Sequence, residues 1–331
     1  MAQAIEKVGH KTMILTRDHE CTLPLLDAYG LRYDVYGKPQ KRGHKRALEL
    51  LPHVRKAYRM ARKFRPEIVV GTGFVEACTS MLLRKPYVVF TDTETTSLVN
   101  FLLRPIVKAI YTPSCFRKDL GRKHIRYDGF KELAYLHPDY FQPDSSIYNL
   151  LGIKSDERYV ILRLNPFDAF HDVGVRGFSY EDKLKLVHAL ESFARVFISS
   201  DAVLEPGLEK YAIGIPAHRI HDAEYYAQLL VSDAGTMLTE AAILGTPGIH
   251  CSGYVARRCL GNLIELEEKY GLIFNYSDPN QAIAKAVELI KQPELKQQWQ
   301  DKRQVLLADK IDVLKFMVET IESYAARANR K

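Results

Sequence analysis

Short apolar runs alternate with segments of helical periodicity along the whole chain, and turn residues separate them. This alternation is typical of α/β proteins with parallel sheets, because a helix crosses back over the sheet after each strand. The runs predict two series of strands, at 11–16, 33–36, 68–71, 87–91 and 110–113, and then at 159–164, 196–199, 229–232, 247–251 and 272–276. Helical periodicity dominates from Pro279 to the end.

The length of 331 residues and the hydrophobic content of 47% are enough for two ordinary cores. A segment rich in proline and aspartate at 137–144 separates the two series of strands and is interpreted as a linker. We therefore predict one domain over 1–142 and a second over 143–331.

The beginning of the chain lacks an expected element. Residues 1–9 have the pattern of the end of a helix, and 11–16 have that of the strand after it. In a doubly wound domain, a central first strand and its ligand-facing loop precede that helix. We expect that the natural chain starts upstream of Met1, because the gap leaves buried backbone groups unpaired. The alternative is a protein that tolerates a missing central strand.

The segment from Val231 to Pro247 is the most informative. It predicts a strand, a tight turn and a helix that begins at Thr236 and ends at Gly245. The unpaired N–H groups and positive dipole end of a helix N-terminus suit a phosphate. Gly235 lets the backbone approach a ligand closely, and Thr236 adds a hydroxyl. Glu240 lies one turn further along the same face, within reach of a sugar or ribose hydroxyl.

This turn and helix resemble the C-terminal nucleotide-sugar motif of GT-B proteins, which include UDP-N-acetylglucosamine 2-epimerases and bacterial N-acetylglucosaminyltransferases. The resemblance implies that Gly235 and Thr236 bind the diphosphate and that Glu240 binds the ribose. The epimerases usually have Ser-Gly-Gly at the turn, where this chain has Ala234-Gly235-Thr236.

A longer resemblance covers nearly the whole chain and is to a largely archaeal family known as domain of unknown function 354, grouped with the GT-B superfamily. The motifs that carry it are Gly9-His10 with Arg17-Asp18, the segment 127–133, Leu136-His137-Pro138, and Gly235-Thr236-Met237 with Glu240. The resemblance implies two Rossmann-like domains whose parallel sheets face each other across a cleft. It also implies an acceptor-side first domain, a nucleotide-sugar-binding second domain, and a final helix that packs back on the first.

Ligands of open α/β sheets bind past the carboxyl ends of the strands. After 87–91 come Asp92 and Glu94, which are candidates for general acid or base, with Glu94 favoured. The alternative is that Asp92 or Thr93 caps the next helix. After 68–71, Gly73 is a candidate for close approach to a ligand, and the alternative is a tight turn that requires a positive φ.

The loop after 159–164 supplies three more candidates. Arg163 and His171 are candidates for phosphate contacts, since a guanidinium bonds two oxygens at once. Asn165 is a candidate for a sugar hydroxyl. His171 is also a candidate for catalysis on the sugar ring, although an isolated loop histidine often has no such role.

Positive charge is concentrated at 38–65, where eleven basic residues and one acid give a net +10, against +7 for the chain. Apolar residues recur at helical spacing there, which predicts a basic amphipathic helix, kinked at Pro52. A solvated outer face is one interpretation; an anionic membrane surface, an anionic substrate and nucleic acid are others. We favour the membrane among the functional ones and expect no nucleic acid, since no recognition motif accompanies the charge.

Several classes of protein lack support in the sequence. There is no run of about 18 apolar residues, no signal-peptide pattern, no P-loop, no nucleophile elbow and no metal-ligand spacing. Five cysteines without paired spacing suit a reducing cytoplasm.

The leading hypothesis is a metal-independent glycosyltransferase of GT-B type that uses a nucleotide sugar, an unknown acceptor (lipid-linked or anionic) and no cofactor. The alternatives are an NDP-sugar 2-epimerase or hydrolase, and a protein that binds a nucleotide sugar or polyanion without turnover.

Overall fold

The computed structural model describes residues 1–19, 21–38, 45–94, 104–164 and 177–328. The chain forms two compact units, which we call unit 1 (Met1–Ala134 with Ile311–Lys331) and unit 2 (Tyr135–Lys310). The sequence places the boundary after residue 142, whereas the units divide after Ala134. The backbone N–H of Asp144 donates to Asp222 at 2.8 Å, which ties the end of the expected linker to unit 2.

All strand pairs in the described residues are parallel, and they form three sheets. The strands are β1 (Ile14–Arg17), β2 (Tyr33–Gly37), β3 (Val69–Val70), β4 (Tyr87–Phe90), β5 (Ala109–Pro113), β6 (His124–Tyr127), β7 (Tyr159–Arg163), β8 (Arg195–Ser199), β9 (Leu229–Ser232), β10 (Gly248–Cys251) and β11 (Ile273–Tyr276). Unit 1 has a two-stranded sheet, β1-β2, and a four-stranded sheet, β3-β4-β5-β6. Unit 2 has a five-stranded sheet in the order β11-β10-β9-β7-β8.

The α-helices of the described residues cover the sheets. They are α1 (Ala2–Lys7), α2 (Thr22–Ala28), α3 (Lys45–Phe64), α4 (Phe74–Leu83), α5 (Leu133–Leu136), α6 (Ile147–Leu151), α7 (Tyr180–Leu190), α8 (Ile220–Tyr226), α9 (Gly235–Leu244), α10 (Gly253–Arg257), α11 (Gly261–Glu268), α12 (Pro279–Ile290), α13 (Leu295–Asp309) and α14 (Val313–Ala328). None of them combines the length and apolar character that a membrane crossing requires.

The ten predicted strands are confirmed, with bounds that shift by at most three residues. β6 was missed because its half-exposed, partly charged sequence, His124–Tyr127, has no apolar run. As an edge strand it buries mainly Tyr127, so hydrophobic patterning signals it weakly.

The core of unit 2 is built on β7, β9 and β10. Every residue of β9 and β10 is buried, as expected for central strands of a sheet covered on both faces. The order of the sheet is the doubly wound order 2-1-3-4-5, so its topological switch point lies between β7 and β9. Arg163 and Ser232, the last residues of these strands, pair in register there.

The final helix, α14, completes unit 1 although it ends the chain. The ring of Phe316 lies 5.8 Å from that of Tyr111 and 5.3 Å from that of Tyr127. The hydroxyls of Tyr324 and Tyr111 are 3.2 Å apart, and His10 pairs with Glu322 at 3.1 Å. These contacts make unit 1 from two separate parts of the chain.

Candidate functional site

The turn between β9 and α9 lies at the switch point of unit 2. The Ser232 hydroxyl accepts from the backbone N–H of Ala234 and donates to its carbonyl, both at 2.9 Å, which closes the turn. The backbone N–H of Asp233 donates to the carbonyl of Arg163 at 3.3 Å and so joins the turn to the end of β7. The predicted helix is confirmed and begins one residue earlier than expected; it ends at Leu244, with Gly245 (φ +73°) as its C-cap.

The amino end of α9 is partly exposed. Its N-cap residue, Ala234, provides no side-chain hydrogen bond, and the first turn carries no acid. In contrast, α7 begins with a capping box formed by Ser179 and Asp182. The first backbone N–H groups of α9 therefore receive no side-chain cap from the N-cap residue, and they lie at the positive end of the helix dipole.

Gly235 and Thr236 both lie in this first turn. Among the described residues, a Cβ added at Gly235 would meet only Leu263 Cδ1, at 3.5 Å, so this part of the fold leaves room for a side chain there. Thr236 is exposed. A helix N-terminus with a small residue and an exposed hydroxyl is suited chemically to an anion such as a phosphate.

Glu240 lies on the same helix and is 8% exposed. Its Oε1 accepts a hydrogen bond from the Tyr135 hydroxyl at 2.8 Å and lies 3.2 Å from His221 Nε2. The rings of Tyr135 and His221 lie 5.5 Å apart, so the two groups form one wall beside the carboxylate. Tyr135 and His221 fix the position of the Glu240 carboxylate, which has capacity for about four hydrogen bonds.

Sequence reasoning missed Tyr135 and His221. They come from α5 and α8, distant in sequence from Glu240, so no local spacing links them to it. The weak signal for Tyr135 is its position two residues after the segment 127–133, which carries part of the family resemblance.

Glu224 lies beside this wall and is fully buried. Within the described residues, neither of its carboxylate oxygens has a hydrogen-bond partner. Burial raises the pKa of Glu224 well above its ordinary value, and the charge of Glu240 raises it further. Burial and the neighbouring carboxylate of Glu240 therefore both favour the protonated form of Glu224.

His221, Glu224 and Glu240 also bring one ligand atom each to within 4.8 Å of one another. This mixed nitrogen and oxygen set is chemically capable of holding a metal ion. The sequence predicts no metal site, because the three residues have no recognisable ligand spacing. The contacts of Glu240 with Tyr135 and His221 also hold its carboxylate in this position.

Arg163 ends β7 beside the turn. Its guanidinium pairs with Asp201 and donates to Ser199 Oγ at 3.1 Å, so it is held at the carboxyl edge of the sheet by the end of β8. Two other candidates of this loop, Asn165 and His171, lie outside the described residues.

In unit 1, Asp92 and Glu94 have different surroundings. Asp92 pairs with Lys131 at 2.7 Å, which links the loop after β4 to the family-like segment. Glu94 is 2% exposed, and its carboxylate accepts from the backbone N–H of Arg117 at 2.5 Å. The geometry therefore gives Glu94 a role in fixing the loop near Arg117, and it makes Asp92 the more accessible carboxylate.

Gly73 is the N-cap residue of α4 and has φ −107°, so the alternative of a turn requiring a positive φ is wrong. A Cβ on Gly73 would lie 2.3 Å from Glu76 Oε2. The side chain of Glu76 therefore packs directly over this turn, and the glycine provides the space for it.

Comparisons with known proteins agree with this architecture. Residues 1–325 match the family described as protein of unknown function DUF354. An uncharacterised protein of Methanocaldococcus jannaschii, MJ0665, is 24% identical over 262 residues, which are 76% of each chain.

Three solved structures share the fold at low identity. The glycosyltransferase SsfS6 of Streptomyces sp. SF2575, solved with thymidine diphosphate, has a TM-score of 0.58 at 13% identity, over 97% of this chain and 94% of that one. MurG of Acinetobacter baumannii has a TM-score of 0.56 at 15% identity, with the same coverage. Anabaena Alr3699/HepE, solved with UDP and glucose, has a TM-score of 0.60 at 15% identity, over 96% of this chain and 94% of that one.

These likenesses show the GT-B type of fold, with two Rossmann-like domains built on parallel sheets, as the sequence predicts. The match over residues 1–325 also shows the family: this chain belongs to the DUF354 proteins.

Proposed function

We propose that this protein is a glycosyltransferase that takes a sugar from a nucleotide diphosphate sugar. The observation that carries the proposal is the arrangement of groups on α9. The first turn of this helix has no side-chain cap from its N-cap residue, and Glu240 of the same helix is held by Tyr135 and His221. The diphosphate would bind the N–H groups of Gly235 and Thr236, and the ribose hydroxyls would donate to Glu240. Similar folds that bind thymidine diphosphate or UDP support the proposal.

In the proposed reaction, the bond between the anomeric carbon and the diphosphate oxygen breaks as an acceptor oxygen attacks that carbon. The nucleoside diphosphate leaves with the bonding electrons, and the acceptor proton passes to a carboxylate. We assign this base to Asp92, because Glu94 is buried against the backbone of Arg117. The dipole of α9 and Arg163 would stabilise the leaving charge.

The binding half of the proposal is tested by calorimetric titration with UDP, GDP, CDP and dTDP. We expect one of them to bind and Glu240→Ala to weaken it by at least about tenfold, which is about 1.4 kcal/mol. Tyr135→Phe should weaken binding less, because it removes one donor to Glu240 and keeps the ring. Glu288→Ala, an exposed glutamate of α12, is the matched control. If Glu240→Ala and Glu288→Ala bound the nucleotide with equal affinity, the assignment of Glu240 to the ribose would be wrong.

The catalytic half is tested with Asp92→Asn. We expect nucleotide affinity to stay the same while sugar transfer to an acceptor falls by about a hundredfold or more. Release of free sugar without any acceptor would instead indicate a hydrolase or epimerase. EDTA should leave turnover unchanged. If EDTA instead abolished turnover and added Mn²⁺ restored it, we would assign a metal ion to His221, Glu224 and Glu240.

We also propose that the exposed side of α3 contacts an anionic membrane surface, where a lipid-linked acceptor would lie. Five basic residues on this helix are exposed, namely Arg55, Lys56, Arg59, Arg62 and Lys63, and Leu51 is 75% exposed beside them. Each basic residue near such a surface contributes about 1 kcal/mol.

Vesicles of phosphatidylglycerol and phosphatidylcholine test the membrane contact by cosedimentation. Arg59→Glu with Arg62→Glu should reduce binding by at least about tenfold, from the cost per charge. Lys285→Glu on α12 is the control. Equal binding to vesicles of pure phosphatidylcholine would contradict an electrostatic contact.

A further inference from the structure

Arg17 belongs to a motif that carries the family resemblance, and the proposed function gives it no role. It is the last residue of β1, and it is exposed. The pairing of β1 with β2 shifts register between Thr16 and Arg17. An irregularity of this kind re-aims a side chain and is common beside ligand sites. Arg17 is therefore placed at the carboxyl end of a strand, where ligands of open α/β sheets bind.

Two polar side chains from other elements lie beside Arg17. Tyr36 of β2 is 5% exposed. The pKa of its hydroxyl is raised to about 12, first by burial and then by the charge of Glu76, while Arg17 opposes the rise. Glu76 comes from the first turn of α4, which follows β3. Charges shift a pKa most strongly within about 6 Å, so these three side chains form one cluster.

Glycines make room for the cluster. A Cβ on Gly71 would lie 2.9 Å from Glu76 Cγ. A Cβ on Gly37 would overlap the imidazole of His53, whose ring meets that of Tyr36 edge-on with centroids 5.8 Å apart. Both glycines therefore let a polar side chain lie directly against the backbone at the end of a strand.

The charges of Arg17 and Glu76 are available to a ligand. Neither residue forms an ion pair in the described part of the chain. A guanidinium only donates hydrogen bonds and a carboxylate only accepts them, so a ligand that meets both needs groups that do each. Adjacent hydroxyls of a sugar both donate and accept. Because the two charges cancel, a neutral ligand also fits better than an anion such as phosphate.

A cleft of about 300 Å³ adjoins the cluster and gives a ligand room. Tyr36, Glu76 and Thr79 line it, and its other walls are mainly apolar. Thr79 is 3% exposed, and its hydroxyl has no hydrogen-bond partner within the described residues. Buried hydroxyls are normally bonded, so this one points to a ligand with a polar group. The volume is at the lower end for small-molecule sites, which suits a single sugar ring.

We propose that Arg17, Tyr36 and Glu76 form a sugar-binding site of unit 1. Arg17 donates to hydroxyls of the sugar, Glu76 accepts from them, and the apolar walls of the cleft pack against the C–H groups of the ring. The site uses no residue of unit 2. Its role as the acceptor site rests on the proposed function, whereas the binding of a sugar does not.

Saturation-transfer NMR tests the proposal with glucose, galactose, mannose and N-acetylglucosamine, each titrated in the millimolar range. We expect at least one of these sugars to bind the full chain. Glu76→Gln and Arg17→Ala should each weaken that binding by at least about tenfold, since each removes hydrogen bonds with a charged group. Binding of none of the sugars would overturn the proposal, and so would tighter binding of inorganic phosphate.

Glu67→Gln and Arg32→Ala are the matched controls. Both residues are exposed and precede a strand, Glu67 before β3 and Arg32 before β2, whereas Arg17 and Glu76 lie at or after the carboxyl ends of strands. The controls should bind the sugar as the wild type does. Equal losses in the controls and in Glu76→Gln would contradict a site at the carboxyl ends of these strands.

Two comparisons keep this result separate from the proposed function. Glu240→Ala should bind the sugar with unchanged affinity, and a loss there would move the sugar to the nucleotide site and overturn the proposal. Glu76→Gln should keep the nucleotide affinity of the wild type, which also shows that this variant is folded. Binding of a sugar without binding of any nucleotide would reject the proposed function and support the sugar site alone.

Discussion

The sheet of unit 2 is continuous, with β7 and β9 side by side near its centre, whereas the strands of unit 1 form two separate sheets. β9 is buried along its whole length, but β1 and β3 are half exposed. The loops at the switch point of unit 2 are held in place by Arg163 and Asp233, while the matching position in unit 1 borders a cleft. A strand that pairs on both of its edges is therefore buried, and the loop that follows it is held in place.

The largest expected effect is a difference in the stability lost when leucine is changed to alanine in β9 of unit 2 and in β1 of unit 1. Leu230→Ala in β9 removes a fully buried side chain and should lower the free energy of unfolding by about 2–5 kcal/mol. Leu15→Ala in β1 removes a half-buried side chain beside the cleft and should cost about 1 kcal/mol or less. Urea unfolding of both variants measures the difference, and equal losses would break the comparison.

Acid should destabilise the buried sheet of unit 2 through His250. This side chain of β10 is buried, which lowers its pKa to about 4 from 6.5, although a hydrogen bond with Asn275 opposes the shift. The unfolded chain then binds more protons between pH 6.5 and 4, so stability is full above pH 6.5 and is lost as the pH falls towards 4. The loss is about 3 kcal/mol.

Urea midpoints at pH 7 and pH 4.5 measure this loss. His250→Gln should remove most of the difference, and His188→Gln, which changes an exposed histidine of α7, should keep it. The same pH dependence in wild type and His250→Gln would assign acid sensitivity to other groups.

A smaller effect separates two glycines with positive φ. Gly245 of unit 2 has φ +73°, and a Cβ there would lie 2.5 Å from Gln300 Nε2, whereas Gly30 of unit 1 has φ +64° and open space around it. Gly30→Ala should cost about 1–2 kcal/mol from the backbone alone, and Gly245→Ala should cost more because Gln300 must also move. Thermal unfolding of both variants measures the two losses of stability. A larger loss for Gly30→Ala than for Gly245→Ala would contradict the expected order.

Much of this architecture could be predicted because strand, turn and helix signals are local. The position of Gly235, Thr236 and Glu240 follows from one continuous strand–turn–helix segment, and the structure has that segment nearly as expected. The wall of Tyr135 and His221 could not be predicted, since it depends on how distant helices pack against α9.

The environment of Glu94 could not be predicted from the sequence either. Its position after β4 follows from the pattern, but its bond to the backbone of Arg117 is a tertiary contact. Burial therefore distinguishes two carboxylates that lie in the same loop of the sequence. For this reason we propose Asp92, and not Glu94, as the catalytic base.

Unit 1 includes α14, whereas unit 2 is one uninterrupted stretch of chain. During synthesis on a ribosome, all of unit 2 is made before the residues from Ile311 onwards that unit 1 requires. Multidomain proteins usually fold from the N-terminal domain first. Here the second unit in the sequence can reach its native state first, and Phe316, which packs against Tyr111 and Tyr127, is made only afterwards. Nascent chains of this protein thus expose aromatic surface for longest in the part that emerges earliest.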